Sequence, residues 1–379
     1  MRAPSLLHPT DDLLEVGDGR HARLVGVLGR GASSTVHRAV LESGGGLRRL
    51  VAIKVFGSMA SDDAESALAA AARAARRGAC VRHPNVVEIH DFGQWRHQPY
   101  FVLELVEGVS LHALLERYLA RSRRLPLDLA LFIGSEVAEA LGGARTARDH
   151  HGVQVGMLHL GLGPRKVLLG WRGEVKVGDF ETSMAAGASS SIRSLRAVAH
   201  RTVTMAPEVA QGAPGDSRSD VFSLGIVLRE LFVGPRFSRD ATNADAIRLA
   251  REGYVQPISF QPHLPDALVH IMRRALQCDP SDRYPNASAL AFDLQRAALA
   301  RGVGDGRVFL RRALDREWGN DAEVTNELPY GATRPPQPIR PDDLHDLDGL
   351  PTIAKLDDAT LSGLAENDDI VDADLLDAY

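Results

Sequence analysis

The sequence predicts an α+β chain of two lobes, an antiparallel strand-rich lobe with one helix and a mainly helical lobe, followed by an acidic tail. Three observations predict it. Residues 22–56 read as strands bounded by glycine-containing turns. After Gly108 the apolar residues recur at helical spacing. From about residue 321 the text turns Pro-rich and then acidic, a composition that buries too little apolar surface to offset ordering entropy.

In chain order, residues 1–21 form a leader with one weak helical or strand segment. Strands are predicted over 22–28, 35–41 and 49–56, with a hairpin turn at Ser43–Gly46 between the last two. Asp62 to Ala79 is rich in Ala and Arg, both strong helix formers, and His83-Pro84-Asn85 breaks that helix. Val86–Phe92 and Tyr100–Leu105 complete a five-stranded antiparallel sheet, so the first lobe spans 22–107. The second lobe, 108–301, holds helical segments at Leu111–Ser122, Leu127–Asp149, Ser219–Val233, Ala244–Glu252, Asp266–Gln277 and Ala287–Ala300. A helical extension over 302–320 and a tail over 321–379 follow.

Composition excludes several classes. Hydrophobic residues make up 44% and charged residues 25%, as in ordinary soluble domains. Two cysteines, Cys80 and Cys278, cannot build a disulfide framework. The first residues lack the apolar core of a signal peptide, and no apolar run reaches the ~18 residues of a membrane span. A cytoplasmic protein without nucleic-acid or membrane partners is expected. The net charge of −5 is unevenly placed: residues 321–379 carry 15 acids against 3 bases, −12, which leaves +7 on the rest. Such asymmetry suggests that the tail docks on its own domain or on a partner, against the plainer reading of a solvated tail.

Four short stretches carry chemistry. Gly29-Arg30-Gly31, followed by Ser34 and Val36, is a glycine-rich turn whose backbone N–H groups could approach phosphates closely. Val51-Ala52-Ile53-Lys54 lies on a following strand. His159-Leu160-Gly161-Leu162, with Lys166 beyond it, forms a tight loop, and Asp179-Phe180-Glu181 comes after a short hairpin. Taken together they resemble the bacterial, eukaryotic-like Ser/Thr protein kinase family, with its patterns G-x-G-x-x-G-x-V, V-A-I-K, H-R-D-L-x-x-x-N and D-F-G. The resemblance spans residues 20–300 and implies the protein kinase-like two-lobed fold.

It also implies roles. Leu28, Gly29, Gly31, Val36, Ala52 and Leu168 would wall an ATP site, with the hinge at Glu104–Val106 and Leu103 as gatekeeper. Lys54 would contact phosphates and Asp179 would hold Mg²⁺. His159, Phe180, Glu208, Asp220 and Arg283 would be architectural, Glu208 pairing with Arg283 and Asp220 bracing the loop at His159.

The departures fall where the chemistry should be. Gly161 stands at the position of the Asp that accepts the substrate proton, and losing a positioned general base typically costs ~10²–10⁴ in rate. Lys166 replaces the Asn that helps hold the second Mg²⁺, and an ammonium has no lone pair for a metal. Leu160 replaces the Arg that clamps a phosphorylated loop, and Glu181 replaces the Gly after Asp-Phe, where it could assist a metal or be a plain surface acid. The Glu that pairs with Lys54 should fall near Arg73–Ala75, yet no acid occurs between Glu65 and Glu88. Two function classes stand. One is a pseudokinase serving signalling proteins as scaffold or allosteric regulator, with ATP as candidate cofactor and Mg²⁺ weak or absent. The other is an atypical Ser/Thr kinase using Asp179, Lys54 and a substitute base. A lesser third is a phospho-motif reader built on the basic loop Arg193–Arg201.

Overall fold

In the strand Arg48–Phe56 (β4), Val51, Ile53 and Val55 enter one apolar cluster while Ala52 and Phe56 enter another, the two-residue period of a sheet buried on both faces. The computed structural model describes residues 13–17, 19–31, 34–57, 64–180, 203–237, 242–255 and 264–319. Its first lobe is an antiparallel sheet of β1 (Leu13–Val16), β2 (Arg20–Arg30), β3 (Ser34–Glu42), β4, β5 (Ile89–Trp95) and β6 (Gln98–Glu104), in the order β1-β2-β3-β4-β6-β5. The expected count of five strands becomes six. Leu13–Val16 pairs with Arg20–Arg23, which buries Leu14 and Val16 completely beside Tyr100 and Val102. The two ends of the sheet then meet: Arg20 forms an ion pair with Asp91, and the Tyr100 hydroxyl donates to the Glu15 carbonyl at 2.9 Å.

The other face carries α1 (Ala64–Gly78), whose Ala71, Ala74 and Ala75 pack with Phe101 and Leu103. The strand expected at Val86–Phe92 begins later, at Ile89, because the preceding backbone is engaged by the second lobe. Val177 N–H donates to the Asn85 carbonyl at 2.7 Å, and Val87 N–H to the Val177 carbonyl at 3.0 Å. Arg77 adds a clamp from the end of α1, donating to the carbonyls of Val155 (2.8 Å) and Gly156 (2.6 Å).

The second lobe opens with β7 (Gly108–Ser110) and α2 (Leu111–Ala120), capped by Ser110, whose Oγ accepts from Ala113 N–H at 3.2 Å. The helix α3 (Leu127–Thr146) is apolar nearly all round and runs through the centre of the core. It ends at Thr146, short of the expected Asp149, because Ala147 turns to extended backbone. A 3₁₀ turn (Pro164–Lys166) leads into β8 (Val167–Gly170) and β9 (Val175–Val177). Then follow α4 (Pro207–Ala210), α5 (Ser217–Phe232), α6 (Asn243–Arg251), α7 (Asp266–Ala275), α8 (Ala287–Ala300) and α9 (Gly306–Trp318).

Helix α9 is built into this core. Leu310, Ala313, Leu314 and Trp318 are buried in the main cluster, and Trp318 meets Trp171 edge-on at 6.0 Å. The fully buried Glu317 carboxylate receives Arg121 and Arg123, and the Arg117 guanidinium lies 4.3 Å from the Trp318 ring centre. No helix among the described residues is long and apolar enough to cross a membrane.

Candidate functional site

The loop after His159 is organised by a carboxylate from α5. Asp220, a buried residue in the helix's first turn, accepts from the backbone N–H of His159 (2.8 Å) and Leu160 (2.7 Å). These bonds hold Leu160 at φ +49°, a conformation costly for a branched side chain. Burial pushes the Asp220 carboxyl up to about 6, although both amides favour its charged form. His159 is fully buried, shares a hydrogen bond of 3.0 Å between Nε2 and the Gly178 carbonyl, and stacks 4.7 Å from Phe180. Burial, with the charge of Lys166, pushes its imidazole down to about 3. It is neutral at pH 7, spends Nε2 on a carbonyl, and makes a poor general base.

Gly161 follows in the same loop. A Cβ built on it would stand 3.1 Å from the Lys166 Nζ. The 3₁₀ turn produces this approach: Lys166 N–H donates to the Gly163 carbonyl at 2.9 Å, which folds the side chain back toward Gly161. The Lys166 carbonyl in turn accepts from Gly178 N–H at 2.9 Å, tying this loop to the one that carries Asp179. Asp179 sits at φ +69° and its Oδ1 lies 2.7 Å from the Lys54 Nζ. Burial opposes ionisation of Asp179, but Lys54 and Lys166 outweigh it and hold the carboxyl well below the usual carboxylate range. Lys54 itself is buried on β4.

Most of the apolar residues expected to wall a nucleotide gather in the cluster that also takes in the alanines of α1. Leu28, Ala52 and Leu103 are buried in one cluster with Phe101, and the half-buried Val36 packs on it. Val106 and Leu168 are also buried. Gly29 pairs with Val36 across β2 and β3, and Gly31 N–H donates to the Ser34 carbonyl at 2.7 Å. Glu104 does more than present backbone: its carboxylate pairs with Lys176 at 2.7 Å. Near the position expected for the Lys54 partner, Ala74 and Ala75 are buried in one apolar cluster with Phe56, Phe101 and Leu103. The side chain of Glu65 lies outside the described residues, as do Glu181 and the basic loop Arg193–Arg201.

Glu208 and Arg283 form a bidentate pair at 2.9 and 2.8 Å, and Arg283 is buried. Burial works against the charge of Glu208, but the hydrogen bonds from Arg283 and Ser219 keep its carboxyl low. Two contacts escaped sequence reasoning. Arg38 pairs with Glu107 at 3.2 Å just past the hinge; only its register opposite Ala52 could have hinted at a cleft-side position. Arg236 is buried and donates to the carbonyls of Val203 (3.0 Å), Met205 (2.9 Å) and Tyr254 (2.9 Å), anchoring the segment that enters α4. Nothing in its flanking sequence signals this.

The donor set decides which groups fit. Lys54 and Lys166 are ammonium groups, donors of the kind that phosphate oxygens accept from. Magnesium asks for oxygen ligands in octahedral array. Among the described residues, Asp179 already holds Lys54, Asp220 is taken by two amides and Lys166 brings positive charge, so a second divalent ion does not fit.

The model of the protein tyrosine and serine/threonine kinase family matches residues 22–294. The chain is 30% identical over 290 residues to the serine/threonine-protein kinase PknB of Mycobacterium leprae, covering 75% of this chain and 43% of that one. It is 29% identical over 248 residues to the tyrosine-protein kinase MasK of Myxococcus xanthus, covering 65% and 38%. It therefore spans less than half the length of either relative. The crystal structure of the Mycobacterium tuberculosis PknI kinase domain superposes with a TM-score of 0.54 at 24% identity, over 77% of this chain and 99% of that one, a likeness of fold.

Proposed function

Because the chain belongs to the protein tyrosine and serine/threonine kinase family, we propose that it is a member that has given up phosphoryl transfer and acts as a kinase-fold regulator of signalling proteins. The observation that carries this reading is the pairing of Gly161 with Lys166. Where the family places a carboxylate to take the substrate proton, this chain has no side chain, and an ammonium stands 3.1 Å from where one would begin. An ammonium at that point can only donate protons. His159, in the same loop, is buried and neutral.

The rival reading of an atypical kinase draws on the Lys54–Asp179 pair at 2.7 Å, which keeps two of the family's phosphate-side groups together. Among the described residues that reading would draw its base from His159, buried against the Gly178 carbonyl, or from Asp179, paired with Lys54. The test is transfer of labelled γ-phosphate by the full chain with Mg²⁺ or Mn²⁺, to itself and to generic Ser/Thr substrates. No incorporation is expected. Stoichiometric autophosphorylation that disappears in Lys54→Ala would refute the reading.

A further inference from the structure

The charge pattern of the cleft reverses the one a two-metal site needs. Asp179 is flanked by Lys54, at 2.7 Å, and by Lys166, whose charge also bears on it. Asp220 spends its carboxylate on the amides of His159 and Leu160. The imidazole of His159 is bonded to the Gly178 carbonyl. Among the described residues, Lys54, Lys166 and Asp179 together carry +1 before any ligand enters. A metal-bound triphosphate would bring part of its charge already neutralised and a divalent cation that Lys166 repels. A metal-free triphosphate brings more negative charge and oxygens that both ammonium groups can bond.

The geometry points to a nucleoside-triphosphate site that takes its ligand as the metal-free anion, with the Lys166 ammonium in the role of the second metal. This rests on the regulator reading, since an anion held by fixed lysines has no proton acceptor or paired metals for transfer. Lys54 and Lys166 approach from different lobes, one from β4 and one from the 3₁₀ turn, so phosphate oxygens bound between them would tie the lobes together. Ligand binding would then bias the surface offered to a partner, which is the currency of a regulator.

The experiment is a thermal-shift and calorimetric titration of the full chain with ATP, adenosine and inorganic tripolyphosphate, each in EDTA and in excess Mg²⁺. ATP should bind in EDTA at least as tightly as in Mg²⁺, adenosine much more weakly, and tripolyphosphate measurably, which would assign the affinity to the phosphates. Lys166→Met should weaken ATP in EDTA about tenfold to hundredfold, as expected when one hydrogen bond to a charged group is lost. Lys166→Arg, which keeps the charge, should retain most of the binding and so exclude simple misfolding. The inference is overturned if ATP binds only with Mg²⁺, if Lys166→Met binds like wild type, or if no triphosphate binds under any condition. Phosphotransfer measured on the same samples judges the regulator reading separately, because activity with Mg²⁺ would refute that reading whatever the EDTA titration shows.

Discussion

On the regulator reading, placing a carboxylate at Gly161 alone should give a salt bridge and no kinase. In Gly161→Asp the new Cβ would lie 3.1 Å from Lys166 Nζ, close enough that the flexible end of the lysine must shift slightly and then bond the carboxylate. Unit charges ~4 Å apart attract by ~4 kcal/mol at an effective dielectric of about 20. Lys166 is only half-buried, so solvent screens part of this, and a net of ~1.5–3 kcal/mol suits a hydrogen bond between charged groups. Burial of the new carboxylate at Gly161 opposes that gain, so the single variant should stay within ~1 kcal/mol of wild type. In a Lys166→Met background the same Asp has lost its ammonium partner and should be destabilising. Urea unfolding of Gly161→Asp, Lys166→Met and the double variant forms a cycle whose coupling should be ~1.5–3 kcal/mol. Additivity within ~0.5 kcal/mol would refute the pairing of these positions. Phosphotransfer by Gly161→Asp with Lys166 intact would refute the claim that Lys166 occupies the catalytic position.

Trp318→Ala removes a buried indole from the main core and should cost ~3–5 kcal/mol, read as a fall in melting temperature of roughly 10 °C; a loss under ~1 kcal/mol would show that α9 is not integral to the lobe. Glu230 on α5 is pushed up to about 8 by burial, with Arg229 acting against the shift. Its folded form holds a proton that the unfolded chain releases at the ordinary carboxylate value. The associated stability is therefore present in acid and lost as pH rises through about 8. Glu230→Gln should flatten the decline in melting temperature between roughly pH 5 and about 8, and an unchanged slope would count against the burial of its charge. Residues 321–379, at −12 against +7 for the rest, should cross-link to the domain at low salt and lose those links near 0.15 M, where the Debye length is ~8 Å; equal yields at both salts would rule out docking by charge.

Much of the fold could be read locally, because strand and helix signals are carried by neighbours in the chain. The Ser43–Gly46 turn forms as expected, with Gly46 at φ +79° and its N–H donating to the Ser43 carbonyl at 2.9 Å. The helix Ala287–Ala300 has the expected limits, set by the Asn286 cap at its start. The architectural residues were legible too, since His159, Asp220, Glu208 and Arg283 stand in short motifs at recognisable spacing.

What the sequence by itself determined is the two-lobed α+β plan and which residue types stand in the loop that follows His159. A glycine has no side chain in any fold, so the bareness of Gly161 is plain from the sequence. Only the tertiary structure decided what fills the space. Lys166 turns toward Gly161 because a 3₁₀ turn and a backbone bond to Gly178 aim it there, and its field reaches Asp179 across thirteen residues of chain. The sixth strand, the Arg38–Glu107 and Glu104–Lys176 pairs and the Glu317 carboxylate held by Arg121 and Arg123 also join segments distant in sequence. A charged side chain on a strand or helix reads as solvent-facing until packing brings an opposite charge against it, and that opposition exists only in three dimensions.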